Sequence, residues 1–350
     1  MDLREQSAAV LAFDVGGANI KAADGLGWTR AEPFALWRHP ADLPAALARI
    51  ARPRCPRRIV ATMTGEIADC FPSRQVGVER IVDALAFAAT AVSPPADLGI
   101  YLVDGTLATP AATRARPLLA AASNWHAMAR LAAAHAPTAR SLGIDVGSTT
   151  TDIIMLENGR LAPLALDDVG RMASGELVYT GVERTPVAAI VRSLPWPSVA
   201  GHPRRTVAAE RFADSRDVWL LLDGIPEDPD CTDTADGAPA TRHHARVRLA
   251  RMLLADPADF SDADAQAAAE WCAEAQARLV ARAVARVIAT SGAMVTSVVL
   301  SGHGECLARR ALDRLGWHLP VVLLPERIGP GPARAAPAHA LALVARGLIA

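Results

Sequence analysis

Lysine is almost absent from this chain: of thirty-six lysines and arginines, Lys21 alone is a lysine. Aromatic residues are scarce as well, with two tyrosines and six phenylalanines, so a core must be built mainly from alanine, leucine and valine. Neither sign of charge is in excess. A formal net charge of −1 excludes the strongly basic surface that nucleic acid or an anionic membrane would require, and neither partner is expected. The five cysteines (Cys55, Cys70, Cys231, Cys272, Cys306) are odd in number and scattered, with no Cys-x-x-Cys pair. That argues against a zinc knuckle and a disulfide framework. No apolar run reaches the roughly 20 residues needed to span a bilayer. Met1-Asp2-Leu3-Arg4-Glu5-Gln6 shows no basic segment leading into an apolar one, so no signal peptide is read. The expectation is a reduced, soluble, cytoplasmic protein.

What is present begins at that lysine. It follows a glycine turn, Phe13-Asp14-Val15-Gly16-Gly17-Ala18-Asn19-Ile20-Lys21. A chain that otherwise uses arginine keeps lysine where a compact ammonium on a flexible stem is needed. Backbone N–H groups in a glycine turn after a strand converge on phosphate, and lysine completes such a cradle as a point charge.

The turn recurs about 130 residues later as Asp145-Val146-Gly147-Ser148-Thr149-Thr150-Thr151-Asp152. Both copies read as apolar run, aspartate, small-residue turn and second apolar run, the signature of a β-hairpin with a glycine-rich tip. Two such hairpins suggest two similar lobes, each offering a loop to a shared cleft. Strands are expected at Ile59–Thr62, Ile100–Val103, Val218–Leu222 and Val298–Leu300. Helices are expected at Val78–Ala91, at Trp125–Ala136 with Ser123 or Asn124 as N-cap, at His243–Leu254, at Ala263–Thr290 and at Ala335–Leu348, the last packing back on the first lobe. Ser193–Pro203 and Gly224–Pro239 read as loops. The alternation gives an α/β class, with one lobe at 1–140 plus about 330–350 and the other at 141–329.

Further polar groups cluster at the ends of these elements. Thr62, Thr64, Glu66 and Asp69 follow a short apolar strand, where α/β proteins place ligands. Caps would account for one or two of them, but not for all four. Glycines and hydroxyls around Glu176, Tyr179 and Thr180 read as a binding loop. The acidic stretch Asp230–Asp236 and the arginines Arg242, Arg246, Arg248 and Arg251 read as solvated surface. A third glycine turn, Ser301-Gly302-His303-Gly304-Glu305, follows the last strand. No Gly-x-Ser-x-Gly elbow is present, which argues against a serine-hydrolase triad. Cys70 and Cys306 are expected to be buried.

Together the three turns resemble the phosphate and adenosine loops of the actin-like ATPase superfamily, with its ribonuclease H-like fold. The blocks Thr62–Phe71, Ser123-Asn124-Trp125 and Gly175–Gly181 narrow the resemblance to the hydantoinase/oxoprolinase branch, and within it to proteins of tetrahydromethanopterin-linked one-carbon transfer. The resemblance implies phosphate contacts from Gly16, Gly17, Asn19, Lys21, Gly147, Ser148, Thr149, Thr150, Gly302 and Gly304. It also implies a divalent metal, Mg²⁺, positioned by Asp14 and Asp145, as hard oxygen ligands suit it.

Archaeal members of that group join an aminomethylfuran-methyl diphosphate to the phenol of γ-glutamyltyramine and release pyrophosphate, on the way to methanofuran. The implied role here is the same or a related ether-forming transfer between small-molecule substrates, in methanofuran or methylofuran synthesis. Lys21 would stabilise the leaving diphosphate. A phenol with a pKa of about 10 calls for a base, and Glu66, Asp69 and Glu176 are candidates in that order. Thr62, Thr64, Tyr179 and Thr180 are candidate substrate contacts. Two alternatives stay open: an ATP-using kinase or amidohydrolase on the same fold, or a non-catalytic ATP-binding regulator. A homo-oligomer is also left open.

Overall fold

The computed structural model describes residues 10–199, 204–292 and 294–349. The N-terminal hexapeptide discussed above, the first residues of the N-terminal lobe and the end of the 193–203 stretch lie outside them. The chain divides into two compact units, Met1–Ser141 with Met155–Arg171 and Val322–Ala350, and Leu142–Ile154 with Met172–Val321. Residues 155–171 thus group with the first unit.

The first unit is built on a six-stranded sheet: β1 (Val10–Val15), β2 (Asn19–Ala23), β3 (Thr29–Pro33), β4 (Arg58–Met63), β5 (Asp97–Tyr101) and β6 (Leu107–Ala108). Its order is β3-β2-β1-β4-β5-β6. β1, β2 and β3 form an antiparallel meander, and β1, β4 and β5 run parallel. β1 is buried along its whole length, as a central strand covered on both faces must be. Its odd-numbered residues Leu11, Phe13 and Val15 join Ile20, Ala22, Ile59, Ala61 and Met63 in a core shared with the Leu43–Ala51 and Arg74–Thr90 helices. Strand alternation therefore sends Lys21, Asp14 and Thr62 to the opposite face. The Ala336–Ala345 helix packs on β1, β2 and β4 of this unit, as expected of the last helix.

The second sheet has the same plan. β7 (Arg140–Val146), β8 (Thr151–Glu157), β9 (Arg160–Leu161), β10 (Leu177–Val178), a separate β11–β12 pair (Ser193–Pro195, Arg204–Thr206), β13 (Ser297–Gly302) and β14 (Val321–Leu323) give the order β10-β8-β7-β13-β14. Position for position this repeats the β3-β2-β1-β4-β5 order of the first sheet, the ribonuclease H-like order met twice in one α/β chain. The chain has the actin-like ATPase fold.

Three expectations fail locally. Val218–Leu222 is not a strand but the end of the Ser215–Leu221 helix. Its apolar run is too short to distinguish the two, and the deciding signal is upstream, in a capping box where Asp214 and Asp217 satisfy each other's backbone N–H groups. Ser193–Pro203 begins as a strand, because β11 pairs with β12. Cys70 and Cys306 are half-buried, with burial pushing the Cys306 thiol up to about 11.

One glycine fixes how the site is assembled. Gly77 lies inside the Arg74–Thr90 helix, where alanine would ordinarily be better by about 1 kcal/mol. Here a Cβ would stand 2.7 Å from the Cα of Glu66 and 2.8 Å from its carbonyl carbon, so the Gly65–Ile67 turn rests directly on the helix backbone. Gly77→Ala is expected to destabilise the protein by about 1–3 kcal/mol through overpacking, read by urea denaturation. A gain in stability would show that this contact yields without strain.

Candidate functional site

In the first unit the β1–β2 tip is closed by a Gly16 N–H to Asn19 carbonyl bond of 3.0 Å. The Thr64 N–H donates to the Val15 carbonyl at 3.0 Å, tying the end of β4 to the same turn. Gly17 has open space where a side chain would project, so the tip presents backbone outward. Register places Lys21 opposite Asp14, and Asp14 opposite Thr62. The Thr62 hydroxyl meets the Ser123 hydroxyl at 2.7 Å, at the start of the Asn124–Ala134 helix. A polar row thus crosses the sheet: Lys21, Asp14, Thr62, Ser123.

The electrostatics of that row are unbalanced. Asp14 is 4% exposed and its Oδ1 has no hydrogen-bond partner. Lys21 Nζ lies 4.0 Å from Asp14 Oδ2. Burial pushes the Asp14 carboxyl above its ordinary value, and the Lys21 charge opposes the shift without cancelling it. A buried carboxylate with an orphaned oxygen fits a cation that keeps most of its own water, as Mg²⁺ does when it takes one or two carboxylates plus substrate phosphate. Among the described residues no group of three His, Cys, Asp or Glu side chains is disposed to hold a metal.

Beyond β4 the polar block splits. Glu66 is 1% exposed, and its Oε1 accepts from Arg74 Nη2 at 2.8 Å. The same nitrogen donates to Asp168 Oδ2 at 2.8 Å. Glu66 Oε2 and Arg74 Nε are buried without partners. Desolvation raises the Glu66 carboxyl above its usual range, against the pull of Arg74. Asp69 is exposed and is not brought to this cluster. Nearby, the Arg171 guanidinium stacks 3.9 Å over the Trp125 ring, and the His126 ring meets Trp125 edge-on. Buried His126, pushed down to about 4 by desolvation, bonds Tyr101 Oη through Nδ1 at 2.7 Å.

The second unit repeats the turn. The Gly147 N–H donates to the Thr150 carbonyl at 2.9 Å, the bond seen at Gly16. A strap, Val182–Arg184, donates backbone N–H groups to the carbonyls of Gly147 and Ser148 at 3.0–3.1 Å. Ser148, Thr149 and Thr150 remain partly exposed. Gly302, at φ +79, would place a Cβ 2.6 Å from the Val146 carbonyl carbon, and the Gly304 N–H donates to the Val146 carbonyl at 3.1 Å. The third turn is thus seated on the second, with Ser301 Oγ donating to Asp145 Oδ1 at 2.7 Å. Glu183 spans both, meeting His303 Nε2 at 3.2 Å and Arg216 Nη2 at 2.6 Å.

The other second-unit candidates are placed differently from one another. Thr180 is buried, its hydroxyl accepting from Gln276 Nε2 at 2.8 Å and touching the Thr185 hydroxyl at 3.1 Å. Glu176 is fully buried, with Oε2 accepting from Ser174 Oγ at 3.0 Å. Tyr179 is 59% exposed.

The family profile described as Hydantoinase/oxoprolinase matches residues 57–326, most of the chain. The chain belongs to the hydantoinase/oxoprolinase family. Two relatives bear the name (4-{4-[2-(γ-L-glutamylamino)ethyl]phenoxymethyl}furan-2-yl)methanamine synthase. The one from Methanocaldococcus jannaschii is 30% identical over 250 residues, 71% of this chain and 72% of its own. The one from Methanococcus vannielii is 29% identical over 204 residues, 57% of this chain and 88% of its own. The solved activator of 2-hydroxyisocaproyl-CoA dehydratase from Clostridium difficile superposes with a TM-score of 0.40 at 12% identity, over 97% of this chain and 98% of that one.

Several site residues of this hydantoinase/oxoprolinase member escaped the sequence reading. Arg74 sits just after the N-cap Ser73 and looks like any first-turn residue. Asp168 is 94 positions from it, a separation no local pattern encodes. Arg216 lies just before a run that reads as a strand, whereas Glu183 belongs to the Ser174–Pro186 stretch that does read as a binding loop. Arg171 offered no signal at all, although the Ser123-Asn124-Trp125 block marked the position of its aromatic partner.

Proposed function

We propose that this protein is a transferase that forms an aryl ether between an aminomethylfuran-methyl diphosphate and the phenol of γ-glutamyltyramine or a close analogue, in methanofuran-type carrier synthesis. The observation that carries the reading is the Lys21–Asp14–Thr62–Ser123 row beside buried Glu66, in a chain whose relatives are named for a product containing that ether. The phenol gives up its proton, its oxygen bonds the furan-bearing methylene, and the carbon–oxygen bond to diphosphate breaks with its electron pair leaving on pyrophosphate.

Each step asks for a group that the first unit supplies. Lys21 and the outward-facing backbone of the Gly16–Asn19 tip oppose the charge growing on the leaving group. Mg²⁺ beside Asp14 would add Lewis-acid stabilisation of that charge. Glu66, desolvated and therefore more basic than an ordinary carboxylate, accepts the phenolic proton. Within the second unit, the Gly147–Thr150 tip is closed by the same N–H to carbonyl bond as the Gly16–Asn19 tip and is a phosphate-binding turn of the same kind.

The test is pyrophosphate release by purified protein with Mg²⁺, the diphosphate and γ-glutamyltyramine, with the ether confirmed by mass. Product without ATP is expected. Turnover that requires ATP and the free furan alcohol would replace this reading with the kinase or amidohydrolase alternative. Nucleotide binding with no turnover on either pair would favour a regulator.

A further inference from the structure

Around Glu66 the charges do not sum to zero. One guanidinium, Arg74, serves two carboxylates, Glu66 and Asp168, through a single nitrogen, Nη2. The cluster carries a net charge of −1 when both acids are ionised, and it is shielded: Glu66 is 1% exposed, and the Arg74 and Asp168 side chains are 29% and 24% exposed. Gly77 brings the Arg74–Thr90 helix against the backbone of Glu66, so the turn that carries the carboxyl is seated directly on the helix that carries Arg74. Arg74 favours the ionised form of Glu66 and Asp168 the protonated one, both through charge.

We propose that Arg74 and Asp168 are positioning residues for Glu66, with Arg74 clamping Oε1 so that Oε2 is the oxygen that takes up a proton, and Asp168 holding the guanidinium in a one-point rather than a two-point contact. The proposal rests on the reading of Glu66 as the base. Proton uptake at Oε2 brings the cluster to neutrality, which is what makes a shielded group of charge −1 a proton acceptor. Were Asp168 absent, Arg74 would be free to turn its unpartnered Nε–H onto Glu66 as well, making the two-pronged contact that guanidinium and carboxylate favour. That contact would hold the carboxylate ionised and weaken it as a base.

The two partners therefore push Glu66 in opposite directions. Removing Arg74 removes the opposite charge in hydrogen-bond contact with Glu66, and an opposite charge at this distance is worth about 1–3 pKa units. Arg74→Met should raise the Glu66 pKa and move the acid limb of kcat/KM to higher pH, a loss of at least about tenfold below the new limb. Asp168→Asn should lower the pKa and move the limb to lower pH. Arg74→Lys should restore most of the Arg74→Met loss, since it returns the charge.

The experiment is a pH titration of protein carrying ¹³C-carboxyl glutamate, with the Glu66 resonance assigned by its absence in Glu66→Gln, run beside pH profiles of pyrophosphate release. Opposite displacement of the resonance in Arg74→Met and Asp168→Asn is expected, with the kinetic limb following it. Displacement in the same direction, or none, overturns the proposal. Opposite displacement alone is what the two charges give in any ion pair, so the kinetic limb that follows it is the readout a merely structural cluster would not move. Should Arg74→Met not fold, Asp168→Asn alone still decides it: a resonance that fails to fall overturns the proposal. A resonance that moves as stated, beside a pH profile with no matching limb, overturns instead the reading of Glu66 as the base.

Discussion

Arg248→Met should cost about 3–5 kcal/mol of folding stability, the usual penalty for stranding a buried charge. Arg248 is fully buried. Its Nε donates to Asp217 Oδ1 at 2.8 Å, its Nη2 approaches the same oxygen at 2.7 Å, and its Nη1 reaches Asp236 at 3.0 Å. Asp217 is itself only 2% exposed, and burial lifts its carboxyl from 3.8 to about 6 even with Arg248 alongside. Asp236 keeps Arg251 at 2.7 Å and stays near solvent, so the loss falls mainly on Asp217.

The sign with pH follows from linkage. A carboxyl whose folded pKa is above its unfolded one stabilises the fold fully below the unfolded value, and that contribution is lost as pH rises through the folded value. In the parent the loss runs from about pH 4 to about pH 6. Without Arg248 the folded pKa climbs further, so Arg248→Met should be closest to the parent near pH 4 and furthest from it near pH 8. Urea denaturation at the two pH values checks this, and Asp217→Asn in the same chain should recover much of the loss. A variant within 1 kcal/mol of the parent at pH 8, on the order of an ordinary surface change, would mean that Asp217 has another way to shed its charge.

That buried pair also shows where sequence reading stops. In the sequence the four arginines of the Arg242–Met252 helix read as a solvated face, and Asp230–Asp236 as a solvated loop. Yet Ala245, Arg248, Leu249 and Met252, four of the five buried positions, are spaced as one helical stripe, so Arg248 stands in the apolar row and Asp236 comes to it. The spacing was legible, but the identity of arginine hid it. The hairpin tips were legible for the opposite reason: glycine, aspartate and strand pattern all occur within a dozen residues. Glu66 lies between the two cases. Its place at the end of β4 could be read from the chain, whereas its clamp depends on Asp168, and no local rule links those residues.

Lys21 makes the sharpest functional forecast. It lies directly opposite Asp14 in the β1–β2 pair, with its side chain 32% exposed and Nζ 4.0 Å from a carboxylate that is 5% exposed. Removing one preorganised group that opposes developing charge lowers kcat by about 10²–10³, and Lys21→Ala should fall in that range for pyrophosphate release. Lys21→Arg should fall nearly as far. Guanidinium is longer, planar and committed to a fork, and it would be drawn to pair with Asp14 rather than with a phosphate oxygen. Arg30→Lys, on the neighbouring strand with its side chain 43% exposed, is the control and should leave the rate unchanged. Calorimetric titration with pyrophosphate separates binding from chemistry: affinity should fall in both Lys21 variants and hold in Arg30→Lys. A Lys21→Arg protein with parental rate and parental pyrophosphate affinity would remove Lys21 from the diphosphate site and leave the chain's single lysine without a chemical reason.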